Sequence, residues 1–158
     1  MNESKKIILI SAGDPASIAS EITIKAILSS KINKNIQPII VTDPQTIKDY
    51  NNNLKKNITF NEIKDLQNFA DFKDNYFNVI PIKLLENVVL GKPSVKNANF
   101  VKESIVKSVK IQMNSIASAI VTNPINKNIM YKSGFKFNGH TEFLAYLSIK
   151  KKIPVMMM

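Results

Sequence analysis

The stretch Lys6-Ile7-Ile8-Leu9-Ile10, followed by Ser11-Ala12-Gly13-Asp14-Pro15, decides the fold class. An uninterrupted apolar run of this length is typical of a strand that is buried on both faces. The small and turn-forming residues behind it end the strand. From Ser17 onward the apolar residues recur at helical spacing. The beginning of the chain therefore predicts a strand that leads directly into a helix.

The same alternation continues along the chain. Further strands are predicted, by their short apolar runs, at residues 38–42, 58–63, 78–82, 117–122 (buried) and 154–158. Helices are predicted from Asp43-Pro44 to about Asn52, over 95–115, from Asn123-Pro124 to Gly134, and over 141–150, whereas 64–78 is predicted to be a loop. Strands that alternate with helices in this way indicate an α/β fold, with a mostly parallel sheet and helices on both faces.

The amino-acid composition limits the classes of protein to which the chain can belong. The chain has 158 residues, of which 44% are hydrophobic and 22% charged, which suits a globular domain with a real core. The absence of cysteine excludes disulfides, thiolate nucleophiles and cysteine-ligated metals. No apolar run approaches the roughly 20 residues that cross a bilayer, and no secretory signal is visible. We therefore expect a cytoplasmic protein that does not associate with membranes.

The net charge of +10 raises the question of nucleic-acid binding. All 22 basic residues are lysines, spread from Lys5 to Lys152, and the chain has neither arginine nor tryptophan. Arginine makes the paired contacts that specific nucleic-acid readers favour, and tryptophan would stack on bases. We therefore expect no nucleic-acid partner, whereas attraction of a small anionic substrate remains compatible with the charge.

Two of the predicted strand-to-helix junctions carry residues that suit an anionic ligand. The first, residues 11–19, has small residues that let a ligand approach the backbone, although Gly13 stands alone and makes no dinucleotide fingerprint. The second ends a strand in Thr122 and Asn123, with Lys127 available to meet a phosphate or carboxylate. The alternatives are a plain turn for the first junction and a solvated lysine for the second.

The third segment, Asn138-Gly139-His140-Thr141-Glu142, contains the only histidine. A neutral imidazole before a helix can hydrogen-bond a substrate hydroxyl or move a proton, and the helix N-terminus lowers its pKa. The alternative is a capping or surface histidine. One imidazole without cysteine or a second histidine makes a poor transition-metal site, so no metal ligand is predicted in this chain.

Taken together, these segments resemble the 4-hydroxythreonine-4-phosphate dehydrogenase (PdxA) family of pyridoxal phosphate biosynthesis. Gly139-His140-Thr141-Glu142-Phe143 is identical to the family's Gly-His-Thr-Glu-Phe motif, and residues 122–127 match its Thr-Gly-Pro-x-x-Lys segment. Residues 12–19 match its Pro-Gly-Glu-Pro-Ala-Gly-Ile-Gly-like loop, and 91–94 and 155–157 also fit. The departures from the family pattern are Asp14 for Glu, Ser17 and Ala19 for Gly, Asn123 for Gly, and Asn126 for His.

The resemblance implies an isocitrate/isopropylmalate-dehydrogenase-like fold and a homodimeric enzyme. It implies oxidation of 4-phosphooxy-L-threonine with NAD or NADP, followed by decarboxylation, with a divalent metal, often zinc, at the reacting oxygen. His140 and Thr141 inherit a substrate-binding role. The metal ligands and most cofactor contacts of the family correspond to no residue of this chain.

The residues themselves extend this list. Lys127 joins His140 and Thr141 as a predicted substrate-binding residue. Possible phosphate or loop contacts are Gly13, Asp14, Thr122 and Asn123, and no catalytic residue is assigned.

We expect the chain to be a partial sequence, since it stops within a strand-like apolar run. Residues 1–122 would form most of a first domain, and 123–158 a hinge and the start of a second. Lacking the metal ligands, the 158-residue chain is not expected to catalyse the reaction alone. The alternatives are a non-catalytic α/β module that binds a phosphorylated small molecule, and a sister dehydrogenase acting on a related four-carbon acid phosphate.

Overall fold

A parallel sheet forms the centre of the molecule. The computed structural model describes residues 5–29, 31–54, 58–64, 73, 76–148 and 153–157. The described strands are β1 Lys6–Ser11, β2 Ile36–Thr42, β3 Phe60–Glu62, β4 Phe77–Pro81 and β5 Ala119–Val121. They lie in the order β3-β4-β2-β1-β5, and every pairing is parallel. The predicted α/β class with a parallel sheet is confirmed.

Five α-helices connect or follow these strands in the described part of the chain. They are α1 Ala19–Leu28, α2 Pro44–Leu54, α3 Ala98–Met113, α4 Lys127–Lys132 and α5 His140–Leu147. A short 3-10 turn, Val95–Asn97, leads into α3, and the Ser94 hydroxyl caps that turn by accepting from the Lys96 backbone N–H. None of the described helices combines the length and apolarity needed to cross a membrane.

The core is divided by the sheet, because successive strand residues point to opposite faces. On β2, Ile39 and Val41 belong to the larger cluster, which includes Ile105 of α3, Met130 of α4 and Phe143 of α5. Ile40, between them in sequence, belongs to a smaller cluster with residues from α1 and α2, namely Ile24 and Ile47. Helices therefore cover both faces, as predicted.

The expectation of a buried strand at 117–122 was wrong in extent and in burial. The strand spans Ala119–Val121, and Val121 is 50% exposed. Among the described strands β5 lies at one end of the sheet and pairs with β1 alone. β5 is apolar although it lies at the edge of the sheet, where fewer neighbouring elements cover it than cover the central strands.

Two further boundaries differ from expectation. The helix predicted from Asn123-Pro124 begins at Lys127, because Asn126 is its N-cap: the Asn126 side chain accepts from the Ile129 backbone N–H at 3.2 Å. Gly134, with φ of +87°, follows its end as predicted. α5 ends at Leu147, three residues earlier than predicted, because Ser148 turns to extended backbone.

The predicted strand at 154–158 is absent from the residues described there. Residues 153–157 form no strand and are exposed, Met157 to 95%. Met158 and most of the predicted loop at 64–78 lie outside the described residues.

Candidate functional site

Because the strands are parallel, the segments that follow β1, β2, β4 and β5 all leave the sheet at the same edge. In α/β folds this edge is where ligands bind. The first two predicted segments, behind β1 and β5, meet here. Buried polar groups of the two segments form hydrogen bonds with each other, and these bonds show the structural role of each predicted residue.

Gly13 and Asn123 bring these two segments into direct contact. A Cβ on Gly13 would lie 2.7 Å from both Asn123 Cβ and the Pro124 carbonyl oxygen, and Gly13 has φ of +69°. The Asp14 backbone N–H donates to the same Pro124 oxygen at 2.9 Å. Only glycine combines this backbone conformation with so close an approach.

The side chains of Asp14 and Asn123 serve the loops themselves. Asp14 Oδ1 accepts from the Ala16 N–H at 2.9 Å. Asn123 Nδ2 donates to the Ser11 carbonyl at 2.8 Å and to Thr23 Oγ1 at 2.7 Å. Gly13, Asp14 and Asn123 thus make loop contacts, while Thr122 is half-buried beside them. Contact of these four residues with a phosphate stays a prediction.

A serine that the sequence analysis did not single out anchors the first segment from the opposite helix. Ser104 of α3 is fully buried; its Oγ accepts from the Ala12 N–H at 2.8 Å and donates to the Val41 carbonyl at 2.7 Å. It therefore ties α3, β2 and the β1 loop together. The available signal was a hydroxyl on the apolar stripe of α3, since a buried hydroxyl requires partners.

The second and third segments meet through Lys127. The position of a Cβ on Gly139 would be 3.7 Å from Lys127 Cε and 4.0 Å from its Nζ, so the ammonium lies beside Gly139 at the start of α5. His140 is the first residue of α5, and its Nε2 is buried without a hydrogen-bond partner among the described residues. Thr141 follows in the same turn and is exposed. The structure thus brings Lys127 next to the Gly-His-Thr segment.

Aromatic packing fixes the helix that carries His140. Phe143 is buried, with ring centroids 4.9 Å from Phe135 in an edge-on arrangement and 5.1 Å from Phe137. Tyr146 packs on Phe137 from the exposed side at 5.0 Å. Such ring pairs are each worth about 0.5–1.5 kcal/mol beyond their buried area. They hold α5 against the main core, with its first turn towards Lys127.

The environment of His140 favours the neutral imidazole. Burial, and then the positive charge of Lys127, lower the His140 pKa below its ordinary value of 6.5. An unfolded chain takes up this proton at higher pH than the folded one does. The contribution of His140 to the free energy of unfolding is therefore fully present above about pH 6.5. It is lost as the pH falls through the folded-state pKa of His140.

This environment yields a direct prediction for the sole histidine. Its imidazole proton resonances, followed by NMR against pH, should titrate below 6.5. Lys127→Met should raise the His140 pKa because it removes the nearby positive charge. The His140 pKa should stay below 6.5 because the ring is still buried. Lys132→Met, an exposed lysine at the end of the same helix, serves as the control. A wild-type pKa at or above 6.5 would contradict the buried placement of the ring.

A groove of about 610 Å³ lies beside α5. Val95, Lys102, Phe135, Phe137 and Tyr146 are among its lining residues, whereas His140, Thr141 and Lys127 are not. Its apolar lining is continuous with the aromatic packing under α5. We therefore place the candidate site at Lys127 and His140, where the unpartnered polar group lies, and not in this groove.

The described residues do not form a metal site. No three or more histidine, cysteine, aspartate or glutamate side chains within the described ranges are grouped so that they could hold an ion.

Comparison with known proteins identifies the family of the chain. The sequence pattern of the family described as "Pyridoxal phosphate biosynthetic protein PdxA" matches residues 34–158. That range contains Lys127, His140 and Thr141. The chain belongs to the PdxA family. All of the chain aligns, at 35% identity, with the 4-hydroxythreonine-4-phosphate dehydrogenase of Wigglesworthia glossinidia brevipalpis, covering 46% of that relative's length.

Other members of the PdxA family show the same proportion. The Caulobacter vibrioides 4-hydroxythreonine-4-phosphate dehydrogenase is 32% identical over 94% of this chain and 45% of its own length. The crystal structure of a 4-hydroxythreonine-4-phosphate dehydrogenase from Burkholderia phymatum superposes with a TM-score of 0.83 and 23% identity, over 92% of this chain and 44% of that one. The chain thus spans about half the length of the PdxA relatives it matches.

Proposed function

We propose that this chain provides substrate-binding residues of a 4-hydroxythreonine-4-phosphate dehydrogenase in pyridoxal phosphate biosynthesis. The names of the PdxA relatives supply the reaction. The observation in this chain that carries the proposal is the buried, unpartnered Nε2 of His140 beside the Lys127 ammonium. A buried polar atom without a partner costs about 1–3 kcal/mol, a cost that a bound ligand would remove.

The substrate, 4-phosphooxy-L-threonine, matches this chemistry. Its hydroxyl and its anionic groups are partners for a neutral imidazole and an ammonium. The free backbone amides in the first turn of α5 add a preference for negative charge, and Thr141 contributes a hydroxyl in the same turn. His140 and Thr141 would bind the substrate, and Lys127 would neutralise an anionic group.

The complete reaction also requires a hydride acceptor and a metal, and the described residues group no set of metal ligands. We propose that NAD or NADP would accept a hydride from the carbon that bears the substrate hydroxyl, while the hydroxyl loses its proton. The resulting β-keto acid would then lose carbon dioxide. A divalent metal, most often zinc in the family, would polarise the reacting oxygen and would be held by residues outside this chain. A homodimer and a cytoplasmic location belong to the same proposal.

The test is binding of 4-phosphooxy-L-threonine to the full chain by calorimetry, with L-threonine as the matched ligand without phosphate. We expect saturable binding of the phosphorylated compound, at least about tenfold tighter than that of L-threonine, because hydrogen bonds to charged groups are worth about 1.5–3 kcal/mol. Equal binding of both ligands, or of neither, would refute the assignment.

A second measurement separates the enzyme from a binding module. The encoding DNA is read past the codon for Met158, and the product of the complete reading frame is assayed for NADH or NADPH formation with the same substrate. Turnover supports the dehydrogenase. Tight binding without turnover by the complete product would instead support a non-catalytic module.

A further inference from the structure

A pair of exposed residues on either side of the Gly-His segment forms a clasp around it. The Glu142 carboxylate accepts from the Asn138 backbone N–H at 2.5 Å through Oε2, and from the Asn138 side-chain Nδ2 at 2.8 Å through Oε1. These two bonds close a ring over Gly139, His140 and Thr141. We name this pair, Asn138 and Glu142, the clasp.

The clasp compensates for the freedom that Gly139 introduces. Gly139 is extended, with φ of 160°, and has no side chain to restrict its neighbours. A flexible glycine directly before the histidine would let the first turn of α5 adopt several positions. A glutamate at the third helical position that accepts from a donor ahead of the helix is a known way to fix a helix start. Here both oxygens of the Glu142 carboxylate accept from Asn138, so the orientation of Asn138 relative to α5 is restrained as well as its distance.

We propose that Glu142 is a positioning residue: through its two hydrogen bonds to Asn138 it holds the His140 imidazole in place for ligand binding. The inference rests on the proposed function for the identity of the ligand. It does not rest on it for the geometry, because the clasp is present in the free protein. Glu142 itself is exposed and need not touch the ligand.

A simpler role for Glu142 must be separated from this one. A negative charge in the first turn of a helix stabilises the helix by its interaction with the macrodipole. Glu142→Asp keeps the charge at this position but shortens the reach by one methylene, so the carboxylate cannot span both donors. Glu142→Gln keeps the reach but removes the charge and one accepting oxygen, so one of the two bonds is lost as well. Glu142→Asp is therefore the variant that tests reach at constant charge.

The first readout is the His140 imidazole pKa, measured by NMR in the free chain without any ligand. The charged group that acts on the ring is Lys127 of α4, whereas the Glu142 carboxylate is bonded to Asn138. If the clasp holds the ring, Glu142→Asp lets it move towards solvent and its pKa rises towards 6.5. Glu142→Gln loses one of the two bonds, so the His140 pKa should rise in this variant as well. An unchanged pKa in Glu142→Asp would overturn the proposal whatever the ligand is.

The second readout is the affinity for 4-phosphooxy-L-threonine. Because a side chain that is no longer preorganised must be ordered on binding, Glu142→Asp should bind about three- to tenfold more weakly. Glu103→Asp, an exposed glutamate on α3, is the matched control and should bind as the wild type does. Wild-type affinity in Glu142→Asp would contradict positioning. Failure of the wild-type chain to bind the compound would refute the proposed function, while the pKa readout would still decide on the clasp.

Discussion

Gly13→Ala should lower the free energy of unfolding by about 2–5 kcal/mol, the largest stability effect expected from a single added methyl group in this protein. Two costs add. A non-glycine residue in the left-handed conformation costs about 1–2 kcal/mol, and Gly13 has φ of +69°. The new Cβ would also lie 2.7 Å from Asn123 Cβ and from the Pro124 carbonyl oxygen. Relief of such overpacking costs about a further 1–3 kcal/mol.

Gly91→Ala is the matched control for this prediction. Gly91 also has a positive φ, of +77°, but a Cβ there would meet no atom within 4 Å. It should therefore show the backbone cost of about 1–2 kcal/mol alone. Urea unfolding of the two variants measures the difference directly. Equal destabilisation of both would show that the contact with Asn123 and Pro124 is relieved without cost.

His140→Ala should weaken the binding of 4-phosphooxy-L-threonine by about 10- to 150-fold, the largest functional effect expected from one side chain. The substitution removes the buried Nε2 that the free protein leaves without a partner. A hydrogen bond to a charged group contributes about 1.5–3 kcal/mol, which corresponds to this range. Calorimetric titration of the full chain measures it, with unfolding curves to show that the variant is folded.

Lys110→Ala, which truncates an exposed side chain at the end of α3, controls for the general effect of an alanine substitution. It should bind the ligand as the wild type does. If His140→Ala also retained wild-type affinity, the imidazole would have no part in binding, and the site would have to be sought elsewhere along the strand ends.

The fold class was predictable because its signal is local. The run Ile39-Ile40-Val41 is apolar at every position, and in the structure it supplies both faces of the sheet. The position of a strand within the sheet was not predictable from the same signal. The run at 119–121 is equally apolar, yet Val121 is half exposed at the edge. The apolar residues of a strand show how much of its surface could be buried, whereas the neighbouring elements determine how much is buried in the fold.

Competition between similar residues explains the error at the start of α4. Asn123-Pro124 and Asn126 are both helix-start signals. The Asn123 side chain donates hydrogen bonds to Ser11 and Thr23, more than 90 residues earlier in the chain, and Asn126 caps the helix instead. Periodicity within a short window contains no information about such distant partners.

The candidate site was predictable in its members and not in its geometry. The Gly-His-Thr-Glu-Phe motif pointed to His140 and Thr141, and residue chemistry added Lys127. That the Lys127 ammonium lies beside Gly139, and that Nε2 of His140 has no partner, follows from the turn between α4 and α5. The clasp was missed because Glu142 accepts from Asn138, one residue ahead of the usual capping position.

The division of the core by the sheet has a consequence for how the protein tolerates sequence change. Met130 and Phe143, which support the helices carrying Lys127 and His140, belong to one cluster, whereas Ile24 and Ile47 belong to the other. Free-energy changes at separate, non-contacting positions usually add. Substitutions at Ile24 or Ile47 are therefore expected to change the free energy of unfolding with little change in the packing of Met130 and Phe143. Side chains of the second cluster are thus the positions at which the sequence can vary without disturbing the support of α4 and α5.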